Sequence, residues 1–216
     1  MMKLIYGVLR NLPILLIAST AFYGSMNWAD DLPVKKYQTD TEEVSKNNYV
    51  WLDSTGKQVA TYEMGAACVK DINTGLIWEL KTQDGSEHDV DRRYRWGGEG
   101  AEKIGTIFYD DWNSLILSAN NKTLCGQNHW RVPSINELQT LMNKSSGLNN
   151  ISATRISIDT HWFALTLAEP YWSISTYKHY PEHAQTVDFG TGDSNYYNGF
   201  RGDKLPLRLV CAVRSP

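Results

Sequence analysis

From Tyr49 onward, aromatic and β-branched residues come in short runs, and a turn signal cuts each run before it lengthens. This punctuation constrains the fold more than any other feature, because short apolar runs bounded by Gly, Asn, Asp and Ser read as strands, and closely spaced ones as hairpins. Tyr49 to Leu52, the turn Asp53-Ser54-Thr55-Gly56 and Gln58 to Tyr62 predict one hairpin. Ala67 to Lys70, the turn Asp71-Ile72-Asn73-Thr74-Gly75 and Leu76 to Glu79 predict a second. Residues 83–105 are polar and glycine-rich, with no period of their own. After Pro170 strands return at Tyr171–Tyr177, Ala184–Phe189 and Leu207–Arg214.

Two helices are predicted between these β segments. In Asp111–Asn121, Trp112, Leu115, Ile116 and Ala119 recur with helical spacing on one face. Ser134–Lys144 opens on a capping box: Ser134 can accept the amide of Glu137, and Glu137 can reach back. Ile135, Leu138, Leu141 and Met142 supply its buried face. The expected class is a single α+β domain with helices enclosed between β segments. A hydrophobic share of 42% is enough for a packed core.

Residues 1–11 carry Lys3 and Arg10 and no acid, and Leu12 to Ala21 is an apolar stretch shorter than the roughly 20 residues of a spanning helix. Ser19 and Ala21 give a small-x-small pattern, and Ala29 is a competing cleavage site. Residues 1–29 therefore read as a signal peptide cleaved after Ala21 or Ala29, 30–48 as a polar leader or linker, and 49–216 as the domain. No cysteine lies near either site, which does not fit a lipoprotein. The mature chain is expected to carry no membrane span and to be periplasmic, on the cell surface or secreted. Export would place Cys68, Cys125 and Cys211 in an oxidising compartment, where one pair and one free or intermolecular thiol is the simplest count. The net charge of −3 argues against a nucleic-acid partner.

No Gly-x-Ser-x-Gly, HExxH or P-loop string occurs. Glu87, His88, Asp89 and Asp91 form the densest set of metal-capable residues, but Arg92, Arg93 and Arg95 follow at once, so a salt-bridged loop is expected, with no metal site and no cofactor. Pro181 between His179 and His183 argues against a helical ligand pair. Trp78, Trp130 and Trp172 read as core residues, each needing a partner for its indole N–H. Arg131 is expected in a structural ion pair, and Glu137 is accounted for by its cap.

Four strings in order resemble the Lcl C-terminal domain family, the distal domain of a collagen-like bacterial adhesin. They are Cys68-Val69-Lys70-Asp71 through Thr74-Gly75-Leu76-Ile77-Trp78-Glu79; His88 to Asp91 with Tyr94-Arg95-Trp96; Leu124-Cys125-Gly126 with Trp130-Arg131-Val132-Pro133-Ser134-Ile135-Asn136-Glu137-Leu138; and Tyr171-Trp172-Ser173 through Val187-Asp188-Phe189-Gly190, ending in Arg208-Leu209-Val210. The resemblance spans roughly residues 66–214. It implies a C-type-lectin-like domain with two main helices, antiparallel strands and long loops, on an exported, non-catalytic protein that binds or adheres. The family's named member is associated with glycosaminoglycans through a basic surface; this acidic chain departs from that. Calcium-bridged sugar binding is not supported either, since Glu-Pro-Asn and Gln-Pro-Asp strings are missing. The resemblance also implies the disulfide Cys68–Cys125, leaving Cys211 buried in the last strand or paired between chains. Two other roles stay open: a structural part of an envelope or pilus assembly, and an oxidase of the formylglycine-generating type, whose cysteines lie near the C-terminal end, as Cys211 does.

The binding surface is expected in residues 190–206, a glycine-, asparagine- and aspartate-rich loop that holds Tyr196, Tyr197, Phe200 and Arg201. Tyr177, His179 and Tyr180 would form a second wall. Flat aromatic faces beside directional polar groups suit a carbohydrate or a surface protein ligand. The alternative is that Tyr196 and Phe200 staple the loop to the core.

Overall fold

Asp53 and Asp71 each close a hairpin with a side chain. Asp53 Oδ1 accepts from the Thr55 and Lys57 amides at 2.9 and 3.0 Å, and Asp71 Oδ1 from the Asn73 amide at 2.8 Å. These are the local bonds that make Asp a turn residue. Gly56, at φ +89°, completes the first turn, and an added Cβ would sit 2.5 Å from the Cys125 carbonyl oxygen. The computed structural model describes residues 49–142, 156–195 and 199–212, all within one compact unit, Glu43–Pro216. A second unit, Met1–Glu42, lies outside the described residues, as do the leader with its cleavage sites, the linker 30–48, Tyr196 and Tyr197.

The first sheet contains β1 (Tyr49–Asp53), β2 (Gln58–Val59), β3 (Ala66–Asp71), β4 (Leu76–Glu79) and β8 (Val210–Ala212) in the order β2-β1-β3-β4-β8. All its pairings are antiparallel. A second antiparallel sheet runs β5 (Pro170–Thr176), β6 (Ala184–Asp188), β7 (Asp193–Asn195). The helices are α1 (Asn113–Asn121) and α2 (Ile135–Gln139). The α+β class holds. No helix among the described residues is long and apolar enough to cross a membrane.

Four boundaries differ from the expectation. Tyr62 lies in a short 3-10 turn, Tyr62–Met64, closed by Gly65 in the left-handed region, and not in a strand. Helix α2 ends at Gln139, after which Leu141 and Met142 donate three residues back, to Leu138 and Gln139, in tighter turns. Residues 207–209 precede β8 rather than belonging to it. The segment 190–206 contains a strand, β7, because Asp193 to Asn195 continue the ladder on β6.

Alternation along the strands sends side chains into two cores. Leu52, Cys68, Ile77 and Cys211 face a core that includes Leu115, Ile116 and Ala119 of α1 and Trp96, Trp112, Trp130 and Trp172. Trp51, Val69, Leu76, Trp78 and Val210 face the other, with Leu138 of α2, Trp162, Phe163, Tyr171 and Phe189. The first sheet is therefore apolar on both faces, so β4 is buried at every position. The predicted core tryptophans are at most 2% exposed. Trp130 donates to the Leu124 carbonyl and Trp172 to the Tyr94 carbonyl, but Trp78 Nε1 finds no partner among the described residues.

Cys68 and Cys125 form a disulfide across 57 residues, and Cys211 is buried in β8. The capping box is present in both directions, Ser134 Oγ accepting from the Glu137 amide and Glu137 from the Ser134 amide. Arg131 grips the same carboxylate with two bonds of 2.8 and 2.6 Å.

Candidate functional site

Strands β5 and β6 are joined by a turn, 177–183, that carries all three residues of the expected second wall. The His183 amide donates to the Tyr180 carbonyl at 2.8 Å and the Tyr180 amide to the Tyr177 carbonyl at 3.1 Å, which folds the turn tightly. Tyr177 and Tyr180 stack with centroids 5.9 Å apart and planes 11° apart. His179 lies 5.7 Å from Tyr177, His183 meets Tyr180 edge-on at 6.2 Å, and Phe200 meets His183 edge-on at 5.7 Å. Backbone pairing between His183 and Phe200 brings the segment after residue 198 against the turn. The result is a continuous aromatic ridge in which His179, Tyr180, at 53%, and Phe200, at 39%, are exposed.

Arg201 sits differently from the expectation. It is fully buried, with its guanidinium carbon 4.0 Å above the Trp96 ring, a cation–π contact. Its Nη1 donates to the Ile104 and Ile107 carbonyls. Burial pulls its pKa down, opposed by Glu182 and Glu102. A stacked, buried guanidinium offers no exposed face, so Arg201 anchors the ridge from beneath. The 102–107 segment is clamped from the other side as well. The Glu182 carboxylate accepts from the Thr106 amide, the Thr106 hydroxyl and the Ile107 amide, at 2.8 to 2.9 Å, and these bonds hold its pKa below the usual carboxylate value. An added Cβ on Gly105 would come within 2.8 Å of the Pro181 carbonyl oxygen, so the approach needs glycine.

A second concentration of polar chemistry lies at the end of β4, where the sequence reading sees only a strand terminus. Glu79 is wholly buried; its Oε1 accepts from Lys81 Nζ at 3.0 Å and faces His88 Nδ1 at 2.7 Å, and its Oε2 accepts from the Leu209 amide at 2.8 Å. Burial pushes its pKa up, but Lys81, His88 and the Leu209 amide outweigh this and leave it at about 2. Lys81 is buried too, and desolvation lowers its pKa against the pull of Glu79. Arg208, also buried, donates to the Glu79 carbonyl and to Thr166 Oγ1. The clue in the sequence is Glu79 and Lys81, opposite charges two residues apart and hence on one face of an extended segment.

The acidic loop 87–91 is built, but not as a salt-bridged loop. His88 turns to Glu79, Asp89 accepts from the Gly85 and Asp91 amides, and Glu87 accepts from Ser114. The arginines go elsewhere: Arg93 pairs with Glu169, Arg95 pairs in fork geometry with Asp111, and Arg92 donates to the Gly85 and Ser86 carbonyls. Among the described residues, no group of three or more His, Cys, Asp or Glu is placed to hold a metal.

The profile of the Lcl C-terminal domain matches residues 67–211. No curated protein and no solved structure gives a significant match to the chain.

Proposed function

The chain belongs to the Lcl C-terminal domain family, an adhesin-related class of extracellular domain, and from that premise we propose that it is an exported bacterial adhesion module whose aromatic ridge recognises a carbohydrate or a surface protein. The observation that carries the reading is the ridge itself. Tyr177, His179, Tyr180 and Phe200 are joined ring to ring while the tryptophans of the domain are buried. Exposed flat rings on a braced turn present apolar area at little conformational cost, which is what stacking on a sugar face or docking a protein surface needs. Tyr196 and Tyr197, which lie outside the described residues, are proposed as further contacts. Two antiparallel sheets, two short helices and a last strand that returns to the first sheet support a C-type-lectin-like arrangement.

Export after Ala21 or Ala29 is part of the same proposal, supported by the disulfide, which persists in oxidising compartments. A non-catalytic role is supported by the cysteines: Cys68 and Cys125 are consumed in the bridge and Cys211 is buried, so a formylglycine-type pair has no second thiol. A glycan array probed with the mature chain tests the reading. The expected result is binding to a subset of glycans that drops at least about tenfold in a Tyr180→Ala, Phe200→Ala variant, a loss of roughly 1.4 kcal/mol. Binding by the variant equal to that of the parent overturns the ridge as the site.

A further inference from the structure

Charge and shape at the aromatic ridge narrow the class of ligand it fits. Each of the two segments that pair to build it contributes a charged residue turned inward. Arg201 lies wholly buried beneath the rings, with its guanidinium on Trp96 and Nη1 on the Ile104 and Ile107 carbonyls. The antiparallel pairing of His183 with Phe200 sets Glu182 opposite Arg201, yet the Glu182 carboxylate is spent on the Thr106 and Ile107 amides and the Thr106 hydroxyl.

The other charges nearby come in both signs. Lys178 is exposed, Lys103 lies 5.3 Å from the centre of the Phe108 ring, and Glu102 accepts from the Thr176 hydroxyl at 3.3 Å. Asp203 and Lys204, just past Phe200, are exposed and opposite in charge. An ionic ligand gains little from such groups, because exposed ion pairs in water are worth little. The rings are few beside the roughly 20–30 residues a side of a stable protein interface, which favours a small or narrow ligand.

A ligand laid on exposed rings keeps its rim in water, so rim hydroxyls stay hydrated while an apolar face meets the ring. A pyranose of glucose configuration has this form, with its hydroxyls at the rim and C–H bonds on both faces. In a β-linked chain successive sugars turn over, so apolarity on both faces lets neighbouring sugars meet the exposed rings of Tyr180 and Phe200. Resting on the reading of the ridge as the binding surface, we propose that it recognises a β-linked glycan chain of glucose configuration by these C–H faces, without calling on charge.

The test is calorimetric titration of the folded chain with cellopentaose and with two β-linked chains of the same length, each changed in one respect. A mannopentaose carries an axial hydroxyl on every ring, and a glucuronic acid pentasaccharide carries a carboxylate on every ring. Cellopentaose is expected to saturate the protein, to bind at least about fivefold tighter than the mannopentaose and no more weakly than the charged chain. Its affinity is expected to hold within about twofold between roughly 0.05 and 0.5 M salt, and in Lys178→Ala, which removes the exposed cation of the turn. A Tyr180→Ala, Phe200→Ala double substitution is expected to weaken it at least about tenfold. Equal binding of the mannopentaose, tighter binding of the charged chain, or loss of affinity with salt or in Lys178→Ala overturns the proposal and leaves the ridge as the site. No saturation by any of the three below about 5 mM, or binding that the ring substitutions leave unchanged, overturns the ridge itself as a glycan site and the proposal with it.

Discussion

The end of β4 and the aromatic ridge each bury an arginine, and they do so with different partners. Arg208 lies near the Glu79 charge and 5.3 Å from the Phe163 ring, and its Nη groups reach the Glu79 carbonyl, the Leu165 carbonyl and Thr166 Oγ1. Arg201 lies on an indole face, with Nη1 on two loop carbonyls and with Nε and Nη2 finding no hydrogen-bond partner among the described residues. In the first place buried charge ties four segments of chain together, since Glu79, Lys81, His88 and Arg208 come from β4, the residues just after it, the acidic loop and the approach to β8. In the second it pins one loop under a turn and leaves the rings of that turn outside. The first region should therefore fail by unfolding, and the second by losing a surface.

The largest effect is expected from Glu79→Ala. It leaves Lys81 buried without its carboxylate partner and takes a nearby negative charge from Arg208, and removing one partner of a buried pair typically costs about 3–5 kcal/mol. That is a large part of the roughly 5–15 kcal/mol that holds a domain folded. Urea denaturation reads it directly, and Glu79→Gln, which can still accept from the Leu209 amide, should cost less. A Glu79→Ala chain as stable as the parent would erase the contrast between the two regions.

Removing the bridge comes next. Cys68→Ala with Cys125→Ala reopens a closure of 57 residues and is expected to cost about 2–4 kcal/mol. Thr123 and Cys125 both hold left-handed backbone, at φ 48° and 50°, without being glycine, so this segment is also the one the bridge restrains. Denaturation with and without a reductant should reproduce the difference in the parent chain.

Acid gives the same region a finer test. Glu79 has a folded pKa of about 2, below its ordinary value of 4.5, so the folded state holds its proton less tightly than the unfolded state. Its contribution is fully present above the unfolded value and is lost as pH falls from about 5 toward about 2, a loss on the order of 3 kcal/mol. Melting across that window should fall more steeply for the parent than for Glu79→Gln, which has no proton to gain.

How far the sequence foretells each region follows from the range of the interactions. Turn chemistry, helix caps and strand alternation act over a few residues, so Asp53, Asp71 and the Ser134–Glu137 box are legible, and with them most elements. The knot is not, because Glu79 to Leu209 and Arg208 to Thr166 span 130 and 42 positions. Its two ends carry no local pattern beyond the pair of charges at 79 and 81. The ridge is half legible. Aromatic residues in a turn-rich segment point to exposed rings, and Tyr177, His179, Tyr180 and Phe200 do cluster. Nothing local distinguishes Arg201, which is drawn under the turn by Trp96 from 105 residues earlier in the chain. Strand β7 escapes for the same reason, since Asp193-Ser194-Asn195 has turn composition and is extended only because β6 lies beside it.

The smallest effect on stability belongs to the ridge. Tyr180 and Phe200 are more than a third exposed, so truncating either removes little buried area. The stacked pair Tyr177–Tyr180 adds roughly 0.5–1.5 kcal/mol at most. Tyr180→Ala and Phe200→Ala are each expected to change stability by no more than about 1 kcal/mol by denaturation. Arg201→Ala separates anchoring from contact. It uncovers Trp96 and frees the Ile104 and Ile107 carbonyls, so it should destabilise more than either ring truncation although its side chain has no exposed surface. If Arg201→Ala proves milder than Phe200→Ala, the turn is held by its rings and the guanidinium beneath it is incidental.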